Sequence, residues 1–495
     1  MLEKADLDRK TKKKDFKKEM DQLEIRLGQI QREARILGIP VIVVFEGWDA
    51  SGKGTLINNL ILPLDPRGFS VVCAHAPNEE ESFRPFLWRF WIKIPARGRI
   101  TIFDRSWYRR VLDERVEEKL SPEQLRRSFE DIRSFERQLS DDGYLIIKFF
   151  LHISRKEQKK RLKKLKENNA TSWRVTKQDM KRHKQYEEYL AVTESMLSET
   201  DTDHARWNVI EAHDERFATL KICHSFAAAL ENRISEKKRK DNPEPEKKQA
   251  SIPENLRISI LDEIDLSTSI EKEDYKKRLD KNQEKLRELQ FRIYRKRIPV
   301  VIIYEGQDAA GKGGNIRRLT RELDPRGYEV IPVSAPNEAE KSRNYMWRFW
   351  KEIPKAGHIA ILDRSWYGRV LVERVEGLCS EEEWKRAYRE INEMEQHLLG
   401  FGTVLLKFWL QIDREEQLRR FERRKRTPHK RWKITEEDWR NREKWDRYKT
   451  AIEEMLFRTS TPNAPWTIIG SNSKHFARIR VTDVVIKAVK DALKS

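Results

Sequence analysis

Unbroken apolar runs punctuate a strongly charged chain. Residues 40–45 and 299–304 are rich in Val and Ile with no polar alternation, the pattern of a strand buried on both faces of a parallel sheet. Further strands are expected at 69–73 and 328–333, at 100–103 and 359–362, and at 144–151 and 403–410. Apolar residues at helical spacing mark amphipathic basic helices at 23–37 and 286–294. Each first strand runs into a glycine-rich turn and then a helix beginning at Gly54 or Gly313. Long charged helical segments fill the remainder. Strands alternating with helices point to an α/β fold built on a central parallel sheet.

The strand positions already suggest a duplication, and the residues confirm it. One constant offset carries Gly47-Trp48-Asp49-Ala50-Ser51-Gly52-Lys53-Gly54 onto Gly306-Gln307-Asp308-Ala309-Ala310-Gly311-Lys312-Gly313. The same offset carries Asp104-Arg105-Ser106-Trp107-Tyr108 onto Asp363-Arg364-Ser365-Trp366-Tyr367, and Trp207 onto Trp466. A register held over most of each half means a duplicated domain, because solenoid arrays repeat every 20 to 50 residues or so. Residues 235–255 are rich in Lys, Glu and Pro and almost free of large apolar groups, so they cannot bury enough surface to fold alone. The expected organisation is therefore a domain at 1–234, a charged linker at 235–255 and a second domain at 256–495.

Composition narrows the class. The 495 residues carry a net charge of +20, which implies attraction to a polyanion without naming it. Nucleic acid, an anionic membrane and a phosphate polymer are all compatible. No RRM, KH or stacking signature favours nucleic acid. No stretch approaches the roughly 18 apolar residues of a membrane span, and the charged N-terminus lacks the apolar segment of a signal peptide. Cys73, Cys223 and Cys379 are far apart with no CxxC spacing, which reads as free thiols in a reducing compartment. A cytoplasmic protein is expected. The 10 histidines show no paired-ligand spacing, so no zinc site is expected.

Three elements carry candidate chemistry. In the turn, Gly306 and Gly311 let backbone N–H groups converge on phosphate oxygens, while Lys312 and the following helix add positive potential. Two features depart from the usual form. The Ser or Thr that would hold Mg²⁺ after the lysine is Gly313, or Gly54 in the first copy. An aspartate, Asp308 or Asp49, also stands inside the turn; among phosphate-binding amides it needs a cation, so Asp308 serves to hold Mg²⁺ or to orient an acceptor. The second element is Asp363-Arg364 at the carboxyl end of a buried strand, matched by Asp104-Arg105. Asp363 there is a candidate metal ligand, with a helix N-cap as the plainer reading. Arg364 either neutralises charge on a transferring phosphoryl group or pairs with a carboxylate. The third is the basic region 418–433, with Arg423, Arg424, Arg426, Lys430 and Arg431, placed to act as an Arg-rich lid. The Trp-Arg-Phe-Trp strings at 88–91 and 347–350 read as core.

The motifs Gly306 to Gly314, Ala335-Pro336-Asn337-Glu338 and Asp363 to Arg369 together resemble the family-2 polyphosphate kinases, and the match spans nearly all of both halves. The resemblance implies tandem P-loop kinase domains similar to thymidylate kinase, each a parallel sheet flanked by helices with a helical lid. It further implies Mg²⁺-dependent phosphoryl transfer between inorganic polyphosphate and a nucleotide. The tandem form looks like the branch that converts AMP to ADP. On this basis Asp308, Lys312, Asp363 and Arg364 are catalytic, with Asp308 and Asp363 as metal ligands. Phosphate contacts fall at Gly306, Gly311, Lys312, Gly313, Gly314, Arg317, Arg318 and the lid cations. Nucleotide contacts are implied at Asn337, Glu338, Arg369 and Glu373. Homo-oligomers are common in this fold, although the sequence displays no interface. The copies differ where cations matter: Arg317, Arg318, Arg424 and Arg426 become Asn58, Asn59, Leu165 and Glu167, and Gly368 becomes Arg109. The second copy is thus expected to be the working one, while Asp49, Lys53, Asp104 and Arg105 persist in a degenerate first copy. The rival readings are a polyphosphate-dependent kinase of nucleoside diphosphates, an ATP-dependent nucleotide kinase, and a non-catalytic polyanion-binding protein.

Overall fold

A computed structural model describes residues 1–117, 119–240 and 259–494. Two compact units emerge: Met1–Pro77 with Phe86–Lys248 and Asn337–Trp347, and Asn78–Pro85 with Gln249–Pro336 and Arg348–Ser495. The short stretches 78–85 and 337–347 are each grouped with the unit that the rest of their half does not belong to. Continuity of the chain alone could not reveal that. The expected linker lies mostly outside the described residues, its first part being the end of the helix Glu215–Lys240.

Each unit is a five-stranded sheet with all strand pairs parallel. In the first, β1 (Val41–Gly47), β2 (Phe69–Cys73), β3 (Ile100–Asp104), β4 (Leu145–His152) and β5 (Trp207–Glu211) lie in the order β2-β3-β1-β4-β5. In the second, β6 (Val300–Gly306), β7 (Tyr328–Pro332), β8 (Ile359–Asp363), β9 (Val404–Gln411) and β10 (Trp466–Gly470) repeat it as β7-β8-β6-β9-β10. The eight strands read from the sequence are present within one or two residues. Strands β5 and β10, each at one edge of its sheet, are missed, their inner positions half-buried and without a continuous apolar run.

The helix read at 23–37 begins at Lys13, and the one read at 286–294 spans Lys272–Lys296. Their unread turns carry little apolar signal: burial starts only at Leu23 in the first, and the second buries Asn282 and Gln283 within its apolar stripe. Gln283 is justified by its amide, which donates to the Arg318 carbonyl at 2.7 Å.

The central strands β1 and β6 are buried along almost their whole length, and chain order reverses beside them, β8 and β9 flanking β6 on opposite sides. In open parallel sheets such a reversal opens a crevice at the carboxyl ends of the strands, and both glycine turns emerge there. The Phe349 and Trp350 rings of the Trp-Arg-Phe-Trp string are buried, and Phe349 packs edge-on against Trp366, in keeping with a core role.

Beneath the second sheet, Lys407 is fully buried. Its ammonium donates to Glu395 Oε2 at 2.8 Å, to the Tyr367 hydroxyl at 3.1 Å and to the Thr459 carbonyl at 2.6 Å. Glu395 also accepts from Tyr367 and from the Trp366 indole at 3.1 Å. The same network recurs around Lys148 and Glu136. Removing one partner leaves a bare charge in the core. Lys407→Met is therefore expected to destabilise the second unit by about 3 kcal/mol or more, read as a lowered urea midpoint.

Candidate active site

The turn after β6 is built on two glycines that no other residue could replace without movement. Gly306 has φ +149° and a Cβ there would lie 2.6 Å from the Leu410 carbonyl oxygen. Gly311 has φ +111° and stands just before the helix Lys312–Leu319. That helix starts one residue earlier than expected. Its first turn carries the positive end of the dipole, the standard setting for an anion, with the Gly314 N–H already donating to the Gly311 carbonyl at 3.1 Å. Lys312 folds back across the turn, donating to the Gly306 carbonyl at 2.7 Å.

The turn's carbonyls are held from behind by a residue that the sequence placed only within the lid's basic run. Arg420 is 2% exposed. It donates to the carbonyls of Ala309 and Ala310, both at 2.9 Å, and to those of Ser471 and Asn472 at 2.5 and 3.0 Å. Glu416 neutralises it, and Gln417 adds a bond to the Asp308 carbonyl at 3.2 Å. Arg161 makes the equivalent bonds in the first unit. The signal was its retention in both copies while neighbouring lid cations changed, a mark of a structural duty.

Asp308 and Arg364 come together. Arg364 Nη2 donates to Asp308 Oδ1 at 3.2 Å, and Asn441 Nδ2 donates to Oδ2 at 2.9 Å. Arg364 has φ +68°, a left-handed backbone that costs energy for a non-glycine residue and commonly marks functional sites. Asp363 ends β8 opposite Tyr304 in the register. It is not the cap of the following turn Trp366–Arg369; Ser365 does that, accepting from the Tyr367 N–H. Behind the pair, Glu305 is buried and accepts from Ser365 Oγ at 2.8 Å, and burial pushes its carboxyl above the usual range. Among the described residues no group of three or more His, Cys, Asp or Glu side chains could hold a metal. Asp308 and Asp363 suit Mg²⁺, which takes one or two carboxylates and completes its shell with phosphate oxygens and water.

Beside Asp308 and Arg364 opens a pocket with apolar walls from Leu371, Val372, Trp409, Trp445, Tyr448 and Ile452, floored at Gly368. None of these side chains was singled out from the sequence, because each reads as core at helical or strand spacing. Arg369 and Glu373 pair with each other at 3.0 Å in the neighbouring turns without lining it. Asn337 caps its own short helix, accepting from the Glu340 N–H at 3.0 Å, and Glu338 pairs with Lys341 at 2.8 Å. Both lie in the stretch grouped with the first unit.

The lid cations are largely solvent-facing. Arg423, Arg426, Lys430 and Arg431 are exposed, as is Arg317 on the helix after the turn. Arg424 reaches the Lys433 carbonyl at 3.3 Å, and burial lowers its pKa. Arg318 turns back onto the Gly314 carbonyl at 3.3 Å.

The first unit keeps the scaffold and changes the contents. Lys53 bonds the Gly47 and Trp48 carbonyls at 2.8 and 3.0 Å. Here, however, Arg109 replaces Gly368, Asp113 replaces Val372 and Arg182 replaces Asn441. Arg109 and Arg182 approach Asp113 at 2.9 and 3.5 Å, Arg182 also meets Glu117 at 2.9 Å and Asp49 at 3.5 Å, and Arg105 pairs with Asp49. Burial opposes ionisation of Asp49, but Arg105, Lys53 and Arg182 hold its carboxyl below the usual range. Trp48, in place of Gln307, stacks on Tyr186 with centroids 4.2 Å apart. Asp104 ends β3 as Asp363 ends β8. An apolar-walled opening has become a self-satisfied ionic cluster.

Comparison with known proteins agrees with this geometry. The profile of polyphosphate kinase 2 (PPK2) matches residues 10–239 and 269–495. A protein of Pseudomonas aeruginosa named polyphosphate:AMP phosphotransferase is 40% identical over 100% of this chain and 99% of its own length. One of Pseudomonas syringae pv. tomato with the same name is 41% identical over 91% of this chain and 90% of its own. A crystal structure from Pseudomonas aeruginosa, assigned as a polyphosphate kinase 2, superposes with a TM-score of 0.88 at 38% identity and covers 100% of both chains. The chain belongs to the polyphosphate kinase 2 family.

The loop's dependence on Arg420 is directly testable. Arg420→Lys keeps the charge but cannot span four carbonyls with a planar fork. It is expected to cost about 2 kcal/mol or more, seen as a lower thermal midpoint of the second unit and faster hydrogen exchange in residues 306–313.

Proposed function

We propose that the second unit transfers the terminal phosphoryl group of inorganic polyphosphate to AMP, giving ADP and a polymer one unit shorter. The observation that carries this reading is a cation-surrounded phosphate turn opening beside an aromatic-walled pocket, in a chain related over its full length to proteins named for that reaction. The donor's terminal phosphates lie over the turn, Lys312 and the lid cations. The nucleoside enters between Leu371, Trp445 and Tyr448, where an aromatic ring gains from both apolar burial and stacking. Its phosphate then faces Arg364.

One oxygen of the AMP phosphate attacks the terminal phosphorus while the bridging P–O bond breaks, and the electron pair leaves with the shortened polymer. A phosphomonoester has its second pKa near 6, so at neutral pH the attacking oxygen is already deprotonated. The site therefore needs positioning and charge stabilisation more than a base. Lys312 and Arg364 supply fixed positive charge, and Asp308 and Asn441 fix the Arg364 guanidinium. Mg²⁺, when bound through Asp308 and Asp363, supplies neutralisation of phosphate charge. Gly313 in place of a metal-binding hydroxyl favours this arrangement over an ATP-dependent kinase. The three cysteines are unpaired, which supports a cytoplasmic setting.

In the first unit, the ionic cluster around Asp113 lines the corresponding pocket, and we assign that unit a supporting role. With AMP and polyphosphate and ATP rigorously absent, the protein is expected to form ADP, and chelation of Mg²⁺ to stop it. Lys312→Ala should lower kcat/KM by about 10²–10³, while Lys53→Ala stays within about threefold of wild type. Equal losses would overturn the division of labour, and ADP formation only with ATP would overturn the choice of donor.

The acceptor pocket has its own test. Trp445→Ala is expected to raise the KM for AMP by roughly tenfold or more, from the loss of about 1–3 kcal/mol of base stacking. The KM for polyphosphate should stay within about twofold.

A further inference from the structure

On the last helix of the second unit, Lys474–Ala492, Arg478 approaches the helix that follows the phosphate turn and Lys474 lies beside the lid-helix cations Arg420 and Arg423. A Cβ on Gly314, in the first turn of the post-loop helix, would lie 3.5 Å from Arg478 Nη2. Arg478 is steadied on its other side, donating from Nη1 to the Tyr275 hydroxyl at 3.3 Å. Tyr275 is itself stacked on His475, with centroids 4.2 Å apart and planes 12° from parallel.

Lys474 lies one turn earlier, next to Arg420 and Arg423, with Glu416 as the opposing charge. Among the described residues neither Lys474 nor Arg478 has a carboxylate within 4.0 Å. Burial, then Arg420 and Arg423, pull the Lys474 ammonium down to about 7. A strained positive cluster of this kind is relieved by an incoming polyanion.

The first unit supplies a control within the same chain. There the corresponding positions are Glu215 and Thr219, and Thr55 replaces Gly314. Asn59 ties that surface together, donating to Thr219 at 3.0 Å and Glu215 at 3.5 Å. The cations are therefore not required by the fold. They accompany the open pocket.

We propose that Lys474 and Arg478 form a wall of the polyphosphate track, binding donor phosphates beyond those held by the turn, with Tyr275 as a positioning residue for Arg478. This rests on the reading that the second unit uses polyphosphate. It adds a second side to the track, opposite the lid cations, so that the polymer runs between the lid helix Arg414–Arg426 and the last helix.

The test is equilibrium binding of polyphosphate to the full chain, by calorimetry at several salt concentrations, alongside steady-state kinetics. Lys474→Gln and Arg478→Thr are each expected to weaken polyphosphate binding about tenfold, the loss of one charge-assisted contact. Each should also reduce the salt dependence by about one unit of slope, as expected when one phosphate contact is lost. The KM for polyphosphate should rise in parallel while the KM for AMP stays within about twofold. Arg478→Lys should recover most of the affinity, and Tyr275→Phe should lose less than Arg478→Thr. Both thermal midpoints are read as well, so that a variant with an unchanged midpoint reports on the track alone. Unchanged polyphosphate affinity in both charge-removing variants, or equal rises in both KM values, overturns the proposal. If wild type itself binds no polyphosphate, the functional reading has failed; if wild type binds and the variants bind equally well, only the track has.

Discussion

Arg420 is the contact on which the working site depends. A glycine turn exposes backbone carbonyls as well as N–H groups, and carbonyl oxygens facing a phosphate would repel it. By drawing the carbonyls of Ala309 and Ala310 backward, the guanidinium fixes the turn with its anion-binding side outward. It also reaches the end of β10 through Ser471 and Asn472. The residue sits on the lid helix, so turn, lid and the start of the last helix share one buried charge. Lid position and loop shape are thereby coupled: the lid cannot swing at its root without removing the support of the turn. Any closing motion must come from the more exposed tip around Lys430 and Arg431.

The fold was largely legible because its strongest signals are physical necessities. A strand buried on both faces must be continuously apolar, and β1 and β6 are. A turn crossing within 2.6 Å of a neighbouring carbonyl must use glycine, and Gly306 does. The edge strands β5 and β10 were not legible, since half-buried positions leave no continuous run. Nor were the N-terminal halves of the long helices, where buried Asn282 and Gln283 interrupt the apolar stripe.

The site divides in the same way. Asp308, Lys312, Asp363 and Arg364 stood out because charge is expensive at the end of a buried strand unless it has a task. The pocket wall did not, because Leu371, Trp409 and Ile452 look like any other core residues until the surrounding elements are placed. Asn337 has a capping duty that the motif did not announce, its side chain accepting from the Glu340 N–H.

The two units show how one scaffold can carry opposite solutions to the same electrostatic problem. Asp49 and Asp308 are both partly buried carboxylates beside a lysine and an arginine, and such charges must be neutralised within a few ångströms. In the first unit Arg109, Arg182 and Asp113 complete the neutralisation, and the pocket there is lined by ions already paired with one another. In the second, Gly368, Val372 and Asn441 contribute no charge. Arg364 is the cation paired with Asp308, while Arg423, Lys474 and Arg478 stand in surplus around the turn. At Lys474 that surplus is costly, since burial and the neighbouring Arg420 and Arg423 both disfavour its charge. The closed cluster favours a resting, ligand-free unit; the open one is poised to gain when a chain of phosphates arrives. Function in this duplicated protein is thus decided less by the phosphate turn, which both units share, than by whether the surrounding charges are balanced before the ligand comes.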